Sequence, residues 1–161
     1  MEVLRGTPLL VQIFFVYFVL PSVGISFSAW VAGVAALGVN ASAYIAEVCR
    51  AGVLSVDRGQ PEAARSLGMT AWQSLRFVVL PQALRRMVPP LTNEAVALLK
   101  DSSLVSVLTV MELTKQTQIF ATNLGSWVLP GSLCALLYLA MSLPLAALAR
   151  RLERGWKMPT A

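Results

Sequence analysis

Two acidic residues stand in an apolar part of the chain, where a charge is costly. Glu94 and Asp101 are seven residues apart, so on a helix they share one face about two turns apart. A carboxylate at membrane depth indicates a functional site by default, and this pair, with Asn93 beside it, could hold a ligand's ammonium or cationic group. The alternative is structural: Lys100 or the Arg85–Arg86 pair could neutralise these acids and hold helices together.

Chemistry of other kinds has few candidates. The sequence contains no histidine and only two cysteines, Cys49 and Cys134. A usual zinc ligand, general base and proton relay is therefore missing, and the cysteines lie in apolar context without metal or redox spacing. We expect no catalytic residue, no metal site and no bound cofactor.

The composition predicts an all-α integral membrane protein. Hydrophobic residues make up 57% of the chain and charged residues 13%, about half the charge usual in soluble domains. Residues 6–46 and 116–149 contain no Asp, Glu, Lys or Arg, and each run exceeds the roughly 20 residues that cross a bilayer. The net charge of +5 comes from arginines that flank apolar runs, which reports topology and argues against a nucleic-acid partner.

The arrangement of apolar and basic segments predicts four transmembrane helices with both termini in the cytoplasm. Arg5, the loop at 58–86 and the basic tail from Arg150 to Lys157 share the cytoplasmic face, because basic residues concentrate there. The turn at 21–28 and the segment 112–126 face outward. The predicted spans cover about residues 7–20, 28–56, 90–111 and 127–148.

A charged, punctuated loop at about 57–82 separates the second and third spans. Glycines and prolines predict two short helices there with an elbow between them, because Gly favours left-handed caps and Pro disrupts helices. Thr70 with Gln73 three residues later matches a capping box. We expect a left-handed cap at Gly59 to end the helix before the loop. The first short helix should have Pro61 in its first turn and end at Gly68, and the second should begin with the Thr70–Gln73 capping box and end or kink at Pro81.

The loop presents a surface suited to a partner. Ala63 and Ala64 carry almost no side chain, so a partner could approach the backbone closely, with Glu62 and Arg65 beside the contact. The apolar side of 72–79 can pack against the protein's own helices. The alternative is an amphipathic loop that lies on lipid headgroups, and the residue types leave both interpretations open.

The spacing Glu62-Ala63-Ala64, three residues, Gly68, nine residues, Val78, one residue, Leu80-Pro81 resembles the EAA loop of ABC importer permeases, with Val in place of Ile. Further blocks resemble the polar amino-acid subfamily (histidine, glutamate, glutamine, arginine and opine permeases) and cover most of the chain in order. They are RGTPLLVQ (5–12), NASAYIAEVCRAGV (40–53), LPQALRRMVPPLTNE (80–94), LLKDSSLVSV (98–107) and ELTKQTQ (112–118).

The resemblance implies a type I permease-like helix bundle whose coupling loop docks on a cytoplasmic ATPase dimer, with Glu62, Ala63, Ala64 and Gly68 in that role. ATP is then bound and hydrolysed by the partner, and this chain needs no cofactor. Further implied partners are a second permease subunit, identical or homologous, an extracytoplasmic solute-binding protein and membrane lipid. The implied location is the bacterial inner membrane, which the chain crosses several times.

The resemblance also implies a substrate pocket around the helix that carries Asn93, Glu94 and Asp101. The substrate would be a polar amino acid, and the acidic pocket leans toward basic ones. We expect residues 1–161 to form one permease domain.

One departure from the family concerns the start of the chain. Members usually have another helix before RGTPLLVQ, and this chain begins almost at that motif. A fragment, a misassigned start and a shortened subunit all stay open. The rival function is therefore a truncated, non-conducting membrane scaffold related to such permeases.

Overall fold

The computed structural model describes residues 2–155, and its described elements are all helical. The α-helices are α1 (Glu2–Gly6), α2 (Leu9–Phe14), α3 (Ala29–Leu54), α4 (Gly59–Ser66), α5 (Ala71–Ser74), α6 (Leu80–Asp101), α7 (Leu113–Leu124) and α8 (Val128–Gly155). A π-helical turn (Phe15–Val19) and a 3-10 helix (Leu20–Val23) prolong α2, a π-helical turn (Leu75–Val79) joins α5 to α6, and a 3-10 helix (Ser102–Leu108) follows α6. The all-α prediction is confirmed. The basic tail was predicted to reach Lys157, which lies outside the described residues.

Two described helices are long and apolar enough to cross a membrane. They are Ala29–Leu54, within α3, and Val128–Leu152, within α8, and they match the second and fourth predicted spans. Along α8 large apolar side chains are exposed, among them Leu136 at 60%, as a lipid-facing surface requires. The first predicted span corresponds to a shorter apolar stretch, Leu9–Val23.

The third predicted span differs from the structure. Its helix, α6, begins at Leu80 instead of near Pro90, and it ends at Asp101 before the 3-10 segment instead of near Met111. Pro89 and Pro90 lie inside α6. Proline inside a helix removes a backbone hydrogen bond, yet membrane helices tolerate it where other groups satisfy the freed carbonyls.

The chain divides into two compact units. Unit 1 comprises the described residues up to Ala43 and Ala95–Leu145. Its core contains Ile13, Ala32, Ala36, Val105 and Leu108. In the same unit the buried Asn40 donates from Nδ2 to Gln12 Oε1 at 3.1 Å and to the Leu4 carbonyl at 3.4 Å, so its amide satisfies polar groups of the α1–α2 region.

Unit 2 comprises Tyr44–Glu94 and the described residues from Ala146 onward. Its core cluster is Val56, Val79, Ala83 and Met87. These residues come from the chain just after α3, from the π-helical turn and from α6. The core of unit 2 therefore ties the two ends of the loop at 57–82 to each other.

Candidate coupling loop and acidic residues

An aspartate side chain lies at the start of the first short helix of the loop, just before the N-cap residue Arg58. Asp57 Oδ1 accepts a hydrogen bond from the Gly59 N–H at 2.7 Å, and α4 starts at Gly59. The predicted left-handed cap at Gly59 is therefore wrong, since α3 has already ended at Leu54 and Gly59 does not have positive φ. Pro61 lies in the first turn of α4, as predicted.

The elbow between the two short helices follows the sequence prediction. Gly68 has φ +84°, the left-handed region that favours glycine. Thr70 then caps α5: its Oγ1 accepts from the Gln73 N–H at 3.3 Å, and Gln73 Oε1 accepts from the Thr70 N–H at 2.8 Å. The capping box is confirmed, and it fixes the direction in which α5 leaves the elbow.

Pro81 does not end the helix that it follows. The helical backbone continues from α5 through the π-helical turn into α6, and Pro81 is the second residue of α6. A π turn shifts the hydrogen-bond register by one residue and commonly occurs as a single turn within a longer helix. The loop therefore passes directly into α6.

The two alanines of the loop lie in different environments. Glu62 and Ala63 are exposed, whereas Ala64 is 4% exposed and packs within unit 2. The side chain of Ala64 is therefore not available to a partner in this arrangement, whereas that of Ala63 is accessible. Gly68 is exposed, and a Cβ at that position would meet no atom within 4 Å.

The expected apolar face of the second short helix forms only in part. Val79 is 8% exposed and belongs to the core of unit 2, as the amphipathic pattern predicts. Trp72 is 66% exposed, so this residue does not pack against the protein's own helices.

Polar contacts join the loop and the end of α3 to α6. Gln82 on α6 donates from Nε2 to Gln60 Oε1 on α4 at 3.2 Å. The guanidinium of Arg86 donates to the Ser55 carbonyl just after α3. These two hydrogen bonds therefore connect α4 and the end of α3 directly to α6.

The candidate ligand residues all lie on α6. Asn93 is exposed, while Glu94 and Asp101 are half-buried. The division between the compact units falls after Glu94, so Asn93 and Glu94 belong to unit 2, and Asp101, the last residue of α6, belongs to unit 1. The assignment of these three residues to a ligand remains a prediction.

Sequence reasoning missed a polar network in unit 1. Glu112 caps α7, accepting from the N–H groups of Thr114 at 2.8 Å and Lys115 at 2.6 Å. The hydroxyl of Tyr138 on α8 donates to Glu112 Oε2 at 3.1 Å and lies 3.1 Å from Thr114 Oγ1. The segment 112–126 was predicted only as an outward-facing connection. Its helix could have been found from the acidic residue before Leu113 and from Gly125, which forms a left-handed C-cap.

Together the fold and the loop define an α-helical membrane subunit with a structured loop. Residues 1–158 match the sequence model of the family described as "Binding-protein-dependent transport system inner membrane component", and the chain belongs to this family. It is accordingly the membrane-spanning subunit of a binding-protein-dependent ABC importer, in which a separate subunit is the ATPase, and it is not an enzyme.

Curated relatives resemble the chain over nearly its whole length. The glutamine transport system permease protein GlnP of Escherichia coli (strain K12) is 44% identical over 163 aligned positions, which cover 98% of this chain and 73% of that protein. The probable glutamine ABC transporter permease protein GlnP of Bacillus subtilis (strain 168) is 45% identical over 155 positions, 94% of this chain and 71% of that protein. The resemblance to ABC importer permeases is confirmed.

A solved structure supports the same family. The structure described as "Crystal structure of an amino acid ABC transporter with histidines" superposes with a TM-score of 0.90 at 44% identity. The match covers 95% of this chain and 72% of the other. The permease-like fold is therefore confirmed for the described helices.

Proposed function

We propose that this chain is one membrane subunit of an importer for polar amino acids, with residues 1–161 acting as a single permease domain. The observation that carries the proposal is the 44% identity over 98% of this chain to a protein named as a glutamine transport permease. The chain would cross the bacterial inner membrane with both termini in the cytoplasm. It would pair with an identical or homologous permease subunit and receive its substrate from an extracytoplasmic binding protein.

The loop at 57–82 is the proposed contact with a cytoplasmic ATPase dimer. Glu62 and Ala63 supply the exposed surface of α4, Ala64 anchors that helix to unit 2, and Gly68 sets its angle to α5. Because Gln60 on α4 is hydrogen-bonded to Gln82, movement of α4 with the ATPase would pass to α6. The permease is then a two-state gate, and the ATPase biases it through contacts that differ between the two states.

Substrate contact is proposed for Asn93, Glu94 and Asp101 on α6. Carboxylates and an amide suit the ammonium group that every amino acid carries, and they favour a cationic side chain further. The helix that would hold the substrate is then the same helix that contacts the coupling loop. This placement gives the ATPase a short physical route to the substrate.

The experiment is an uptake assay with the importer assembled from this chain, its ATPase and its binding protein in proteoliposomes. ATP-dependent uptake is measured for labelled glutamine and then in competition with glutamate, histidine, arginine and lysine. Uptake of glutamine, displaced by one or more of these amino acids, supports the proposal. A complex that assembles and hydrolyses ATP but transports none of the panel supports the scaffold function instead.

A further inference from the structure

Unit 2 contains a cleft that the coupling loop itself helps to form. It lies between the end of α3, α4 and α5 and has a volume of about 540 Å³. Apolar side chains form part of its wall, among them Val53, Leu75 and Val79, and Arg58 and Arg65 line it as well. The cleft therefore combines an apolar wall with two positive charges.

Three polar side chains on this cleft lack partners. Within the described residues no hydrogen bond or ion pair engages the side chain of Arg58 or of Arg65, whose backbone carbonyls alone accept hydrogen bonds. Ser74 also lines the cleft; it is 3% exposed, and its Oγ has no hydrogen-bond partner. The large majority of buried hydroxyl groups are hydrogen-bonded, so Ser74 Oγ is a polar atom at the cleft whose hydrogen bond a bound ligand would supply.

The charges around the cleft select an anion. None of the residues that line it is acidic. Two acids adjoin lining residues in the sequence: Asp57 is hydrogen-bonded to the Gly59 N–H, and Glu62 is exposed and forms no ion pair with either arginine among the described residues. Guanidinium groups bind phosphate oxygens through paired, charge-assisted hydrogen bonds, so phosphate is the anion that this pair suits best.

The position of the cleft indicates that its ligand also has an apolar part. The cleft begins at Val53 and Leu54, where the long apolar helix α3 ends, and under the proposed orientation this end meets the cytoplasmic headgroup region. Basic pockets at that depth bind anionic lipid headgroups. We propose that the cleft binds an anionic phospholipid, with its phosphate on Arg58 and Arg65 and its glycerol–acyl region against Val53 and Leu75.

The test uses the assembled importer in phosphatidylcholine nanodiscs doped with phosphatidylglycerol, and native mass spectrometry counts the phosphatidylglycerol retained by each complex. The double variant Arg58→Gln/Arg65→Gln should bind this lipid at least about tenfold more weakly, since it removes the charge-assisted hydrogen bonds from guanidinium to phosphate, each worth roughly that factor. The control Arg76→Gln/Arg85→Gln removes the same charge from exposed positions of unit 2 and should retain the lipid. An equal loss of phosphatidylglycerol in both double variants would show that the arginines act only by general surface attraction, and it would contradict the proposed site.

Ser74→Ala tests the cleft without changing its charge. The variant should melt at a higher temperature than the wild type in pure phosphatidylcholine, because it removes an unpartnered buried hydroxyl. Its further stabilisation by phosphatidylglycerol should be smaller than that of the wild type. An unchanged phosphatidylglycerol effect would show that Ser74 does not contact the lipid and would contradict the proposed site.

Inorganic phosphate is the second probe, because it offers the same oxygens without the acyl chains. Phosphate that displaces phosphatidylglycerol at equal concentration would assign the site to a free anion and overturn the lipid. Loss of ATPase docking with unchanged lipid retention in the double variant would assign the arginines to the protein partner instead.

The inference rests on the proposed function only for the cytoplasmic placement of the loop. Lipid retention needs no transport, so its failure and a failure of uptake are distinguishable.

Discussion

Gly52 on α3 lies directly against the side chain of Met87 on α6, and a Cβ at position 52 would overlap Met87 Cγ. Met87 is 4% exposed, beside the fully buried Ala83. The absence of a side chain at position 52 is thus what allows these two helices to approach each other within unit 2. This contact, the Arg86–Ser55 hydrogen bond and the core cluster hold the base of the coupling loop.

Gly52→Ala should lower the free energy of unfolding of the assembled importer by about 1–3 kcal/mol, because it overpacks a filled contact. Gly38→Ala on the same helix is the matched control, since a Cβ there meets no atom within 4 Å; it should be neutral or stabilising by about 0.5–1 kcal/mol. Denaturant unfolding measures both. Combined with Met87→Ala, the cost of Gly52→Ala should shrink. Equal effects at positions 52 and 38 would contradict the close contact.

Variants of the two alanines of the loop distinguish ATPase docking from packing within the permease. Ala63→Trp should leave the melting temperature of the permease unchanged and weaken ATPase binding by at least about tenfold, a loss of about 1.4 kcal/mol, because Ala63 is exposed. Ala64→Trp should lower the melting temperature of the permease itself, because Ala64 is buried. Thermal unfolding and ATPase pull-down give the two readouts. Full ATPase binding by Ala63→Trp would remove this residue from the contact.

Gly68 is predicted to matter for its backbone and not for the space around it. Gly68→Ala should cost about 1–2 kcal/mol of folding free energy, because φ of +84° strains an L-residue, and Gly68→Asn should cost less because Asn tolerates this region better. Gly131→Ala in α8 also enters open space, at a position without positive φ, and should not destabilise. Identical stability of all three variants would rule out backbone strain at the elbow.

Removal of charge on α6 tests the proposed ligand residues. Glu94→Gln and Asp101→Asn should each raise the KM for labelled amino-acid uptake about tenfold while the complex still assembles, because the charge that attracts an ammonium is lost, a difference of about 1.4 kcal/mol. Asn93→Ala should have a smaller effect, since an uncharged hydrogen bond contributes less. Glu2→Gln in α1 is the control for a change of net charge. Unchanged uptake kinetics with lowered stability would make the acids structural.

The network at the start of α7 supplies a stability test. Tyr138→Phe removes the hydroxyl that lies between Glu112 and Thr114, so it should lower the free energy of unfolding by about 1–2 kcal/mol. Tyr17→Phe in the π-helical turn after α2 changes the same hydroxyl where no such network is formed and should leave stability nearly unchanged. Chemical unfolding of the two variants side by side gives the comparison. Equal stability would show that the Tyr138 hydroxyl contributes nothing.

Local chemistry explains which parts of the loop were predictable. Thr70 with Gln73, and Gly68 before them, form a self-contained arrangement whose partners are a few residues apart, so the sequence alone predicts it. Gly59 was assigned the wrong role because α3 ends earlier, at Leu54, and Gly59 begins α4 instead. A glycine that follows an aspartate is compatible with the end of one helix and with the start of the next, and the residue types alone do not decide between them.

Tertiary packing decided what sequence reasoning missed. Pro81 was predicted to end or kink a helix, and Pro90 to lie near the start of a span. Instead α6 contains both, because a π-helical turn precedes the first and the core of unit 2 holds the helix. Ala64 is buried and Ala63 is exposed because only one face of α4 packs against the rest of unit 2. Since both residues are alanines, their types could not predict which of them would be buried. The hydrogen bond from Tyr138 to Glu112 joins positions 26 residues apart, and no local pattern encodes it.

The most direct test of the import function is the initial rate of labelled glutamine uptake into proteoliposomes that hold the assembled importer. Uptake is measured with ATP, with a non-hydrolysable ATP analogue and without the binding protein. The proposed function predicts uptake only when ATP and the binding protein are both present, and its abolition by Ala63→Trp although the permease stays folded. Equal rates with and without hydrolysable ATP, or no uptake of any polar amino acid by a fully assembled complex, would contradict it.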